Sequence, residues 1–108
     1  MGQSSRICLV RTTLGSKDTA REIARELVEK RLAACVQVGT GVQTFYHWEN
    51  EMQVETEIPL LIKTSRESLQ KLERWIDQNH PYDTPEFLVS SVDQSSEGYE
   101  DWVKKQTI

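Results

Sequence analysis

The stretch from residue 52 to residue 64, "MQVETEIPLLIKT", alternates along its length. Met52, Val54, Thr56, Ile58, Leu60 and Ile62 fall on one side of an extended chain. Gln53, Glu55, Glu57, Pro59, Leu61 and Lys63 fall on the other, because successive strand side chains point to opposite faces. Residues 35–48, "CVQVGTGVQTFYHW", read as a preceding strand in which Val36 and Val38 alternate with Gln37, and Val42, Thr44, Tyr46 and Trp48 keep that parity. Gly39 and Gly41 mark a bulge or bend between the two halves, and "WENE" makes the turn. Strands usually run about 5–6 residues, so this hairpin is too long for the body that 108 residues can build. It must bend back or pack on another subunit. Pro59 has no N–H for a ladder and marks an edge or a bulge.

The remaining elements set the fold class. Residues 6–13 read as a strand, since Ile7 to Val10 is the continuous apolar run of a strand covered on both faces. Ser16 is an N-cap with Asp18 in the first turn. Ala20, Ile23, Ala24, Leu27 and Val28 then repeat at helical spacing over residues 17–31, opposite a charged face in which Glu26 and Lys30 stand four apart. "TSRE", residues 64–67, fits a capping box ahead of a helix carrying Leu69, Leu72, Trp75 or Ile76, and Asn79. Pro81 ends that helix and makes His80 its boundary. Pro85 opens a strand through "EFLVSSVD", and "SSEGYEDWVKKQ" reads as a short helix in which Tyr99, Trp102 and Val103 share a face. The order β-α-β-β-α-β plus a terminal helix predicts an α+β, ferredoxin-like domain over residues 1–108. Its antiparallel sheet carries two helices on one face and leaves the other bare. With Tyr46, Trp48 and Pro59 near that bare face, a partner subunit is expected to cover it.

Composition excludes several classes. Hydrophobic residues at 37% and charged residues at 28% describe a soluble globular chain. The net charge of −4 gives no bulk attraction to nucleic acid or anionic lipid. An RNA-binding sheet needs aromatics on its central strands, and neither "RICLVRTT" nor "VETEIPLLIKTS" has one. The start, Met1 to Arg6, lacks the apolar region of a signal peptide; Gly2 with Ser5 is at most a faint echo of a myristoylation start. No apolar run approaches the roughly 18 residues of a membrane span. Cys8 and Cys35 sit in apolar runs without a Cys-x-x-Cys pair, as buried free thiols do. A cytoplasmic address follows by default.

Chemistry is sparse. No nucleophile elbow, phosphate loop or activated cysteine is present, so no catalytic constellation is expected and the chain reads as a non-enzyme. "NHPYDTPEF", residues 79–87, holds the one metal candidate. His80 is the natural ligand, with Asp83 and Glu86 close in sequence, since imidazole suits Cu, Zn or Ni and carboxylates can complete the shell. The other reading is a helix-end histidine bonded to backbone.

Five segments in order, "EKRLAACVQV", "FYHWEN", "EIPLLIKT", "HPYDTPEFL" and "YEDW", resemble the CutA family of divalent-cation tolerance proteins over nearly the whole chain. The resemblance implies a homotrimer in which the long hairpin reaches onto a neighbour, and a likeness to the trimers of PII signalling proteins. It also implies a link to copper and other divalent cations, through a cysteine near the end of the first strand and a His-His pair before Pro-Tyr. Here Thr12 and Asn79 stand at two of those positions, which leaves His80. Metal binding (Cu or Zn) is then expected to be weak, to lean on His80 with Asp83 and Glu86, and not to be a required cofactor. The resemblance further implies an intersubunit cleft lined by Tyr46, Trp48, Glu57, Lys63, His80 and Tyr82. Glu57 and Lys63 share a face but lie roughly 20 Å apart at ~3.4 Å per residue. Two functions follow: a divalent-metal tolerance trimer, or a structural or signalling trimer holding an unknown small ligand. Neither involves nucleic acid or membrane.

Overall fold

The computed structural model describes residues 5–108; the expectations drawn from Met1 to Ser4 lie outside them. The elements run β1 (Ile7–Leu14), α1 (Lys17–Glu29), β2 (Cys35–Val38), β3 (Val42–Trp48), β4 (Glu51–Ser65), α2 (Leu69–Asn79), β5 (Leu88–Ser91) and α3 (Glu97–Gln106). The antiparallel sheet has the order β2-β4-β1-β5, with β3 also on β4. This is the expected α+β arrangement, with one strand divided. Residues 35–48 form β2 and β3 rather than a single strand, and both pair with β4, β2 near its end and β3 near its start.

The division has a steric cause. The Gly39 N–H donates to the Pro59 carbonyl at 2.8 Å. A Cβ on Gly39 would stand 2.8 Å from Pro59 Cγ, closer than carbon atoms pack, so only glycine lets the edge turn there. Beyond it, β3 and the first half of β4 form a hairpin closed by Glu49 and Asn50. Trp48 pairs with Glu51, and the two residues between them have φ of 52° and 65°. That is the left-handed two-residue turn whose twist suits a hairpin.

The main core lies on one face. Val10 and Leu14 of β1 and Ile58, Leu60 and Ile62 of β4 meet Ala20, Ile23 and Leu27 of α1 and Leu72 and Ile76 of α2. Each fully buried Leu or Ile contributes about 1.5–3 kcal/mol, so this layer, and not helix propensity, holds the two helices. The expected apolar side of residues 52–62 is real, but only Ile58, Leu60 and Ile62 are buried. Val28, read as part of α1's apolar face, is largely exposed. Ser16 caps α1 as expected, accepting from the Thr19 N–H at 3.1 Å. The helix ends in a Schellman turn: Arg31, at φ 60°, donates to the Val28 carbonyl and Leu32 to that of Leu27.

Four expectations change. The capping box at residues 64–67 does not form. Thr64 and Ser65 belong to β4, paired with Cys8 and Ile7, and the Thr64 hydroxyl donates to the Leu32 carbonyl. Glu67 joins Arg6 instead, in the one ion pair among the described residues, so Glu26 and Lys30 do not pair. The last strand is only Leu88–Ser91, the part that reaches β1. The second sheet face is not wholly bare. Val103 of α3 packs on Ile7 and Ala34, Thr107 and Ser65 share a hydroxyl contact of 2.8 Å, and the Lys63 ammonium lies 6.0 Å from the Tyr99 ring centre. α3 therefore roofs one end of that face.

Replacing Gly39 by alanine is expected to destabilise the protein by about 1–3 kcal/mol, the usual range for overpacking. Adding Pro59→Ala to Gly39→Ala should recover part of the loss in a urea titration; additive losses would show that the ring is not the obstacle.

Candidate functional site

On the sheet face away from α1 and α2, at the end α3 does not reach, the hairpin and the α2–β5 loop enclose a cleft of about 550 Å³. The hairpin supplies Thr44, Tyr46, Trp48, Gln53, Glu55 and Glu57; the loop supplies Tyr82, Asp83, Thr84 and Glu86; β1 supplies Thr13. Register explains the hairpin's share. Glu55 sits opposite Thr44, Gln53 opposite Tyr46 and Glu51 opposite Trp48, so one pleated face carries polar and acidic side chains from β4 beside Thr44 and two aromatic rings from β3.

Glu57 is the best-held of these acids. Its Oε2 accepts from the Thr13 hydroxyl at 2.9 Å and from the Tyr82 hydroxyl at 3.5 Å. Tyr82 reaches it because Gly15 leaves room: a Cβ there would lie 3.2 Å from the phenol oxygen. The phenols respond to the acids. Burial first, then the Glu57 and Glu55 carboxylates, raise the Tyr82 pKa above that of a free phenol. Tyr46 is raised likewise, by burial and then by Glu55. Nearby negative charge disfavours a phenolate, so the Glu55 and Glu57 carboxylates add to the effect of burial.

His80 holds the loop rather than lining the cleft. It is the extended cap of α2, with φ −72° and ψ 138°, the conformation Pro81 imposes. Nδ1 accepts from the Tyr82 N–H at 3.1 Å, and Nε2 lies 2.8 Å from the Thr13 carbonyl. An N–H can only donate and a carbonyl only accept, so the ring is the neutral tautomer protonated on Nε2. Both nitrogens are occupied, and neither offers a lone pair to a metal. The backbone-bonded reading of this histidine is the one the geometry carries. Through these two bonds His80 fastens Tyr82 and Thr13, the residues that hold Glu57.

The structure brings together Tyr46, Trp48, Glu57, Tyr82, Asp83 and Glu86 of the anticipated residues. It separates Lys63, which lies at the far end of the face beside Tyr99. Thr12 sits on the opposite side of the sheet, buried in the core layer, its hydroxyl without a partner. Among the described residues no three His, Cys, Asp or Glu side chains stand close enough to share an ion. A resident copper or zinc centre built on His80, Asp83 and Glu86 therefore does not fit a single copy. Glu55, Thr13, Thr44, Gln53 and Thr84 were not anticipated. The parity of Glu55 with Glu57 was a usable signal for the first; Thr13 arrives only through the pairing of β1 with β4.

Burial lowers the His80 pKa, outweighing the Thr13 carbonyl and Glu57, which raise it. A histidine depressed in the folded state contributes stability above its unfolded pKa of about 6.5 and loses it as pH falls toward the lower folded value. Between pH 7.5 and 5.5 the thermal midpoint of the native protein is expected to fall. That of His80→Gln, whose side chain cannot take up a proton in this range, should fall less. Parallel curves would remove His80 as the cause.

The sequence matches the CutA1 divalent ion tolerance protein family over residues 8–106. It is 36% identical over 99 residues to the divalent-cation tolerance protein CutA of Thermus thermophilus, a match covering 92% of this chain and 96% of that one. The crystal structure of CutA1 from Oryza sativa superposes with a TM-score of 0.92 at 30% identity, covering 97% of this chain and 96% of that one. CutA from Synechococcus elongatus gives 0.91 at 35% identity, covering 98% and 93%. With a family match spanning both the core layer and the cleft, this chain belongs to the CutA1 divalent ion tolerance family.

Proposed function

We propose that the chain works as a cytoplasmic homotrimeric binding protein in the response to divalent metal, and not as a catalyst. The observation that carries the reading is the second face of the hairpin. Phe45 stands opposite Val54 and His47 opposite Met52, and Phe45 and Met52 are 63% and 64% exposed. This face continues the apolar side of β4 beyond the reach of α1 and α2. An unroofed apolar surface on a long arm suits contact with another copy. The cleft lies on the arm's other face, and an arm seated on a neighbour would bring it beside that neighbour.

The chemistry of the cleft favours binding. His80 has no free nitrogen to act as a base, and Cys8 and Cys35 are free thiols away from the cleft lining. Free thiols suit a reducing compartment, and no helix among the described residues is long and apolar enough to cross a membrane. The oxygens of Glu57, Asp83 and Glu86 would attract hard divalent cations in preference to Cu(I), which needs sulfur. A second reading, a signalling trimer of PII type holding a small molecule, is favoured by the aromatic walls Tyr46, Trp48 and Tyr82.

Light scattering at micromolar concentration is expected to give a particle three times the 12.5 kDa of the chain. Phe45→Glu with Met52→Lys on the arm should shift it to single chains. A native protein that runs as one chain would overturn the assembly and the intersubunit cleft together.

A further inference from the structure

We draw no further inference here: the strongest candidate, the exposed and stacked pair of rings Tyr99 and Trp102 on α3, stands over the sheet face that the proposed assembly gives to a neighbouring copy, and nothing in the structure shows what covers it.

Discussion

The structure depends on β4 being longer than the body it serves. Its 15 residues divide at Pro59. The second half is a central strand, paired with β1 on one side and β2 on the other, and sealed by α1 and α2. The first half has only β3 for company. Period-two alternation continues through both halves, so each face of the sheet extends onto the arm. The core face becomes an uncovered apolar strip, and the other face becomes the wall of the cleft. One strand therefore places the arm, the cleft and the core in fixed relation.

His80 is the second constraint, and it acts through backbone rather than through a ligand. Pro81 forces it out of the helix, which turns its ring toward the end of β1. With one nitrogen on the Thr13 carbonyl and the other on the Tyr82 amide, it ties three elements at one point. A buried ring satisfied at both nitrogens is worth more as a fastener than an exposed one, and the arrangement works only while the imidazole is neutral. The residue with the strongest metal-ligand character in the sequence is thus the one the fold has already spent.

Much of the fold was legible because its signals are periodic. The alternation of residues 52–64, the helical spacing from Ala20 to Leu27 and the stop at Pro81 each report a local geometry that packing then honours. What failed was decided at a distance. "TSRE" has the pattern of a helix cap, yet Thr64 is worth more to β1 as a ladder partner and to Leu32 as a donor. The break between β2 and β3 depends on Pro59 pressing against Gly39 across the sheet, and α3 roofs the far face through Val103 and Ile7. Of the cleft, Tyr46, Trp48, Glu57 and Tyr82 were foreseen from the family likeness. Thr13 and the exclusion of His80 needed hydrogen bonds that no spacing announces.

The uncovered strip of Phe45, Met52 and Val54 also bears on how firmly the molecule holds its shape. Whatever seats on it, a second copy included, lends its own binding free energy to the arm by mass action. Rigidity of the hairpin then becomes a property of the solution as well as of the chain, greater when the protein is abundant and lesser when it is dilute.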